Sequence, residues 1–179
     1  MLRAAWPEPG AHGQSRWTEF IVARYSREIV VPTSLDTTFA YLSKFSSAQE
    51  WDPGVIAAEM VTPEPVGLGS RFRLTAVFLG AMVPLEYEII EYDPPRRVVL
   101  TAENRSVRST DTISFDSATS GGTVDRYEAV LLPKGVARLA DPLFAPALRR
   151  VGDRAAGGLQ AALADRAAHP STGPRAGQP

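Results

Sequence analysis

The stretch from residue 55 to residue 133 alternates apolar and polar residues in short segments, and turn residues separate these segments. Two segments place apolar residues at every second position: Phe72, Leu74, Ala76 and Phe78 in the first, and Val83, Leu85, Tyr87 and Ile89 in the second. This period of two is typical of β-strands that bury one face. The connections, such as SATSGGT after VRSTDTISF, are short enough for hairpins. The pattern therefore predicts an antiparallel meander of roughly six or seven strands.

A strand and a helical segment precede this meander. The segment FIVARYSREIVV is rich in β-branched and aromatic residues and stops at a proline, which predicts a strand. In TSLDTTFAYLSKF, the apolar residues Leu35, Phe39 and Leu42 recur at helical spacing. Thr33 precedes Asp36 at the spacing of a capping box, which predicts the start of that helix.

A second capping-box spacing joins Ser47 to Glu50 and predicts a very short helix that ends at Trp51. The sequence Asp52-Pro53-Gly54 follows at once. Proline and glycine restrict and permit the backbone angles of a tight turn, so the chain is expected to reverse directly after the indole.

The last predicted element is a long helix. From Ala140 onward, small and apolar residues recur on one helical face: Phe144, Ala147, Leu148, Val151, Ala155, Gly158, Leu159 and Ala162. Pro146 lacks the N–H that a continuing helix uses, which predicts a kink or a late start. Gly157 and Gly158 each weaken a helix by about 1 kcal/mol relative to alanine. They indicate close approach of the helix to the sheet, room for a ligand, or a mobile helix.

Composition excludes several classes of protein. The chain has 179 residues, of which 44% are hydrophobic, and its formal net charge is -1, as expected for one globular domain. It contains no cysteine, which excludes disulfides, thiolate catalysis and thiolate-bound metals. The lack of excess basic charge argues against nucleic-acid binding. No run of 18 apolar residues and no signal peptide are visible, so a cytoplasmic protein without a membrane span is expected.

Both ends of the chain are rich in proline, glycine and polar residues. Such segments bury too little apolar surface to order themselves. We therefore expect disordered tails at residues 1–20 and 167–179, and one folded domain at residues 21–166.

The order strand, two helices, meander and long helix resembles the helix-grip fold of the START-like superfamily, also called SRPBCC. This superfamily includes polyketide cyclases and dehydrases, lipid-transfer domains and plant pathogenesis-related allergens. The resemblance rests on VPTSLDTTFAYLSKFSSAQEWDPGV, EYDPPRRVVL and GGTVDRYEAVL. It implies an α+β domain in which a seven-stranded antiparallel sheet wraps around the long C-terminal helix. It also implies a deep pocket for a hydrophobic small molecule such as a lipid, polyketide or isoprenoid quinone.

Polar residues at inward-facing strand positions are the candidates for chemistry. Asp111 shares a strand face with Phe115, and Asp125 shares one with Tyr127. If Phe115 pairs with Thr123, Asp111 lies opposite Tyr127 and Asp125 lies on the diagonal. A different register, or a wet position at the end of the sheet, would separate these groups. The candidate catalytic residues are Asp111, Asp125, Tyr127 and Tyr87, because a carboxylate and a phenol can serve as acid and base.

The candidate ligand-binding residues combine the inward strand positions with the inward faces of the helices. They are Phe39, Leu42, Trp51, Phe72, Leu74, Phe78, Leu85, Tyr87, Asp111, Ile113, Asp125, Tyr127, Phe144, Ala147 and Val151. The resemblance places the two short helices at one end of the pocket. Trp51 is expected there, either as a plug of the core or in contact with the ligand.

Three functional hypotheses follow. The first is a binding or carrier protein for a hydrophobic or amphipathic small molecule. The second is an enzyme similar to polyketide cyclases and dehydrases. It would lack a metal or cofactor, because His12 and His169 both lie in the tails. The third is a protein-interaction or regulatory module, whose partner the sequence does not identify.

Overall fold

The computed structural model describes residues 23–119, 121–135 and 141–169, and only the backbone of residues 141–145. The expected tail at residues 1–20 lies outside this part of the chain. The last helix ends at Ala168, two residues beyond the expected end of the domain at residue 166. No helix in the described part of the chain is long and apolar enough to span a membrane.

Within the described residues, seven strands and three α-helices follow one another in the predicted order. The elements are β1 (Ala23–Val31), α1 (Leu35–Ser43), a 3-10 turn (Phe45–Ser47), α2 (Ala48–Trp51), β2 (Val55–Met60), β3 (Arg71–Phe78), β4 (Ala81–Asp93), β5 (Arg97–Glu103), β6 (Val107–Ser117), β7 (Thr123–Pro133) and α3 (Asp141–Ala168). The strands form one sheet in the order β1-β7-β6-β5-β4-β3-β2. Each neighbouring pair is antiparallel. The α+β helix-grip fold predicted from the sequence is confirmed.

The inner face of the sheet packs against the helices, as the alternation of the strands predicts. The large apolar side chains that are fully buried are Val31, Phe72, Ile89, Val98, Leu100 and Ile113 from the sheet and Leu42, Leu159 and Leu163 from the helices. The helices cover one face of the sheet because an antiparallel sheet with one apolar face must shield that face from water.

The two predicted capping boxes are wrong in detail. Ser34, not Thr33, caps α1, and its hydroxyl accepts a hydrogen bond from the backbone N–H of Thr37. At the start of α2, Ser47 makes no side-chain capping bond. Its hydroxyl instead donates to the backbone carbonyl of Tyr41. Spacing alone did not distinguish these uses, since a serine or threonine near a helix start has several local partners.

The register between β6 and β7 differs from the predicted one by two residues. Phe115 pairs with Asp125 rather than with Thr123, and Asp111 pairs with Ala129 rather than with Tyr127. The strands extend to Ser117 and Thr123, so that a shorter turn connects them. Because the shift is an even number of residues, every side chain keeps its predicted face.

Two glycines let α3 approach its neighbours closely. A Cβ atom at Gly158 would lie 1.9 Å from the backbone oxygen of Trp51, and one at Gly152 would lie 2.6 Å from the ring of Tyr25. Gly157 has nothing within 4 Å of such an atom. The close approach at Gly158 is therefore made to α2 rather than to the sheet. The helix starts at Asp141 and continues through Pro146, so the late start predicted from that proline does not occur.

Candidate functional site

A cavity of about 400 Å³ lies between the inner face of the sheet, α2 and α3. Eight of the predicted ligand-binding residues line it: Trp51, Leu74, Phe78, Leu85, Tyr87, Asp111, Tyr127 and Val151. Most of the other lining residues are also apolar, among them Ile29, Phe45, Val83, Leu148, Ala155 and Leu159. The volume falls within the range of about 300 to 1,000 Å³ that is usual for small-molecule sites.

Six of the remaining predicted residues do not line this cavity. Phe39, Leu42, Phe72 and Ile113 are buried in the hydrophobic core. Asp125 is fully buried as well. Ala147 lies on α3 outside the lining, and the side chain of Phe144 lies outside the described residues. The alternation of a strand identifies the inward face but does not tell which inward residues pack on other side chains and which border open space.

A group of hydroxyls and carboxylates interrupts the apolar wall. Asp111 is the centre of this group. The hydroxyl of Tyr127 donates a hydrogen bond of 2.5 Å to its Oδ1, and the hydroxyl of Ser109 donates one of 2.8 Å to its Oδ2. The Tyr87 hydroxyl also interacts with Asp111 and Ser109, and both contribute to the shift of its pKa. Tyr127 reaches Asp111 along the diagonal of the pairing, because Ala129 stands directly opposite Asp111.

Burial and hydrogen bonding act in opposite directions on these groups. Burial raises the pKa of Asp111 above its ordinary value, and the hydrogen bonds from Tyr127, Ser109 and Tyr87 oppose the rise. Burial also raises the pKa of Tyr87 and of Tyr127 well above that of a free phenol, and the nearby Asp111 adds to both shifts. Both phenols therefore keep their protons at neutral pH.

Asp52 is a second carboxylate on the cavity wall that the sequence analysis did not single out as a site residue. Its Oδ1 accepts a hydrogen bond of 2.7 Å from the backbone N–H of Gly54. Burial raises its pKa, the Gly54 bond lowers it, and the charge of Asp111 raises it further. The Asp-Pro-Gly motif indicated a turn, and the electrostatic coupling to Asp111 arises only from the tertiary structure.

Asp125 differs from both of these carboxylates. Neither of its oxygens has a hydrogen-bond partner among the described residues. Burial raises its pKa to about 7. On the sheet it stands between Ile29 of β1 and Phe115 of β6. It therefore lies in the packed part of the core, although it shares a strand face with Tyr127.

Trp51 belongs both to the core and to the cavity wall. It is 5% exposed, and its indole N–H donates to the hydroxyl of Ser47 at 3.3 Å. The centre of its ring lies 6.4 Å from that of Tyr127 in an edge-to-face arrangement. Because Gly158 of α3 approaches its backbone, the indole stands where α2 and α3 meet. Its place in the buried core is observed, and its contact with a ligand stays a prediction.

The hairpin between β3 and β4 forms part of the cavity rim. Val77, Phe78, Leu79 and Ala81 line the cavity, although the side chain of Leu79 is 57% exposed. Arg27 of β1 also lines it, with a side chain that is 58% exposed and lies 3.8 Å from the carboxylate of Asp153. The rim is thus partly open to water, and its exposed residues are mainly apolar.

The described residues contain no group of three or more histidine, cysteine, aspartate or glutamate side chains arranged to hold a metal ion. The polar side chains around Asp111 on the cavity wall are carboxylates and hydroxyls. Such a wall can orient the polar group of a ligand, and it can accept or donate a proton.

Comparisons with known proteins agree with this architecture. The model of the family described as polyketide cyclase / dehydrase and lipid transport matches residues 22–164. No curated protein matches the chain. Because 22–164 is most of the chain, this match establishes the family.

Several solved structures share the fold. The Zhui aromatase/cyclase from Streptomyces sp. R1128 is 12% identical with a TM-score of 0.70, and the alignment covers 85% of this chain and 99% of that one. A START superfamily protein from Mycobacterium smegmatis is 13% identical with a TM-score of 0.67, over 78% and 96% of the two chains. At such identities the likeness concerns the fold alone. The family match shows that the chain belongs to the polyketide cyclase / dehydrase and lipid transport family, and the solved structures show that it shares its fold with a START superfamily protein and an aromatase/cyclase.

Proposed function

We propose that the protein binds a hydrophobic or amphipathic small molecule in the cavity between its sheet and α3, and carries that molecule without changing it covalently. The observation that carries this proposal is a cavity of about 400 Å³ whose wall is mostly apolar but contains the hydroxyl and carboxylate group around Asp111. An apolar wall with a few convergent polar groups is typical of ligand pockets.

The energy of an unfilled cavity supports the proposal. At about 24 cal/mol per Å³, an empty space of this size would cost about 10 kcal/mol, which is comparable with the whole stability of a domain. Buried water needs two to four polar partners, and the apolar part of the wall offers few. An apolar ligand body would fill this part while its polar group reaches Asp111.

Native mass spectrometry of the gently purified protein tests the proposal. We expect a mass addition in about a one-to-one ratio that denaturation releases, and the released compound names the ligand class. A bare mass that does not change when fatty alcohols, isoprenoid quinones and aromatic polyketides are added would contradict a binding function.

Two variants of α3 make a matched pair for this experiment. Ala155→Phe places a ring in the cavity, because Ala155 is part of its lining. Ala161→Phe makes the same change at an exposed position of the same helix. We expect the bound mass to disappear in the first variant and to remain in the second. Equal loss in both would indicate a general effect on the helix rather than occupation of the cavity.

One observation favours a second candidate function, a cyclase or dehydratase that uses acid and base chemistry. The carboxylate of Asp111 lies on the cavity wall, where it can accept a proton from a substrate, and the Tyr127 hydroxyl that donates to it at 2.5 Å holds it in position. Asp111 would remove a proton from the carbon between two carbonyl groups of a bound substrate. Asp111→Asn should then abolish deuterium uptake by a 1,3-diketone in D₂O, whereas Asp125→Asn should not. If the wild-type protein does not accelerate deuterium uptake by the 1,3-diketone, the enzyme function is excluded for this class of substrate.

A further inference from the structure

We infer that the ligand of this cavity is an amphiphile whose polar head group donates hydrogen bonds and carries no negative charge, such as an alcohol or an amine. This inference rests on the proposed binding function and specifies the chemistry of its ligand. The basis is that the polar groups around Asp111 use their donors among themselves and leave acceptor sites free.

The donors around Asp111 are already used. Tyr127 and Ser109 each donate their hydroxyl hydrogen to this carboxylate, at 2.5 and 2.8 Å. A hydroxyl has one hydrogen and two lone pairs, and a carboxylate has about four lone-pair sites. The hydrogens are therefore consumed within the wall, while several lone pairs on all three side chains remain able to accept.

Asp52 adds to the excess of acceptors. Its Oδ1 accepts the N–H of Gly54 at 2.7 Å, and the rest of its acceptor capacity is available at the cavity wall. A ligand hydroxyl or amine supplies the donors that the part of the wall around Asp111 and Asp52 lacks. A ketone can only accept hydrogen bonds. Next to a wall that also offers acceptors, its oxygen stays without a partner, which lowers the affinity.

The charge of the wall has the same consequence for anionic ligands. A ligand carboxylate would lie among Asp52 and Asp111 without a buried counter-charge. Among the described residues of the lining, Arg27 is the only lysine or arginine, and its half-exposed side chain faces Asp153 at 3.8 Å. Placing a further negative charge in an apolar site without a partner is strongly unfavourable.

A matched series of head groups tests the inference. The cavity has room for roughly 13 non-hydrogen atoms at about 30 Å³ each, so 12-carbon ligands are suitable. Dodecan-1-ol, dodecylamine, dodecan-2-one and dodecanoic acid would each compete at pH 7 with 1-naphthylamine, a neutral dye small enough for the cavity, whose displacement is followed by its fluorescence. We expect the alcohol and the amine to bind about tenfold or more tightly than the ketone and the acid.

A variant with new donors sharpens the test. Asp111→Asn adds an amide with two N–H donors. The ketone should then gain affinity relative to the alcohol by about threefold or more. Asp125→Asn makes the same substitution outside the cavity lining and should leave the order of the four ligands unchanged. Circular dichroism checks the folding of both variants, and the series with the wild-type protein decides the question if Asp111→Asn does not fold.

The outcomes separate this inference from the proposed function. Binding of the ketone or the acid as tight as that of the alcohol would overturn the inference and leave the binding function standing. If Arg27→Gln abolishes the binding of dodecanoic acid, the carboxylate of this ligand lies at the rim of the cavity. This outcome would overturn the inference as well. If neither 1-naphthylamine nor any of the four ligands binds, the proposed function fails first.

Discussion

The inner face of the sheet has an open half and a packed half, and each contains a buried aspartate. In the open half, Asp111 is 3% exposed, lies on the cavity wall and accepts hydrogen bonds from Tyr127 and Ser109. In the packed half, Asp125 is 0% exposed, and its oxygens have no partner among the described residues. Its neighbour Phe115 packs its ring on that of Phe39 with the centres 5.3 Å apart.

The comparison shows that burial alone does not locate a functional site. Burial raises the pKa of both aspartates. Only Asp111 combines burial with converging hydroxyls and with open space for another molecule. A shifted pKa is a useful pointer to a site when such geometry accompanies it, because structural groups in a core are shifted as well.

The largest expected effect is a pH dependence of stability that comes from Asp125. Its pKa is about 7 in the folded protein, against an ordinary value of 3.8. The folded state then binds more protons than the unfolded state between these values, so the free energy of unfolding should fall as pH rises from about 4 to 7. The total fall is about 4 kcal/mol, and it stays constant above pH 7.

Urea denaturation at several pH values measures this effect as the difference between the wild-type protein and Asp125→Asn. The raised pKa of Asp111 also makes the free energy of unfolding fall as pH rises. Taking the difference between the two proteins cancels this contribution. We expect the variant to gain stability relative to the wild type as pH rises from 4 to 7. Parallel curves over that range would show that Asp125 titrates normally and would remove the contrast between the two halves.

The second effect concerns truncation of leucines in the two halves. Leu42 is 0% exposed in the packed core, and Leu42→Ala should lower the free energy of unfolding by about 3 kcal/mol because it leaves a cavity. Leu85 borders the existing cavity, so Leu85→Ala should cost about 1 kcal/mol. Chemical denaturation measures both. Equal losses would mean that the open half is as tightly filled as the packed half.

The third effect is the contribution of one hydroxyl to the open half. Tyr127→Phe removes the 2.5 Å hydrogen bond to Asp111 and should cost about 1.5 kcal/mol. It should also raise the pKa of Asp111, since this bond lowers it. NMR titration of the Asp111 carboxyl carbon measures the shift. Tyr92→Phe, at a ring that packs on Phe39 away from the cavity, is the control and should leave that pKa unchanged.

The smallest effect is spectroscopic. Trp51 lines the cavity with its ring centre 6.4 Å from that of Tyr127, so a ligand at Asp111 should change its fluorescence. Replacing Trp6 and Trp17 by phenylalanine leaves Trp51 as the single tryptophan. We expect dodecan-1-ol to shift its emission, and the cavity-filling Ala155→Phe to suppress the change. An unchanged spectrum with a bound ligand would place the ligand away from this end.

Local sequence patterns predicted the fold and the inward faces. The period of two in β3 and β4 identified Leu74, Leu85 and Tyr87 as inward residues, and all three line the cavity. The same reasoning placed Asp111 and Tyr127 on one face, although it misjudged their register by two residues. The length of the turn decides that register, and Gly121 and Gly122, both with positive φ, permit a turn shorter than the one expected.

Other features had no local signal. Asp52 looked only like a turn residue, and Gly152 did not stand out from the small residues of α3. Their roles depend on residues far away in the chain, because Asp52 interacts with Asp111 and Gly152 packs against Tyr25. Pairwise contacts of this kind are set by how the elements pack, and a single sequence does not encode them in its periodicity.

The sequence by itself determined which elements form, their order, and which residues turn inward, because these follow from short-range alternation and turn chemistry. Only the tertiary structure decided which inward residues border a cavity and which fill the core. That division depends on the distance of α3 from the sheet. Contacts between distant parts of the chain set this distance, such as Gly152 against Tyr25 and Gly158 against Trp51. Asp111 and Asp125 look alike in the sequence, and they differ because these contacts leave space in front of only one of them.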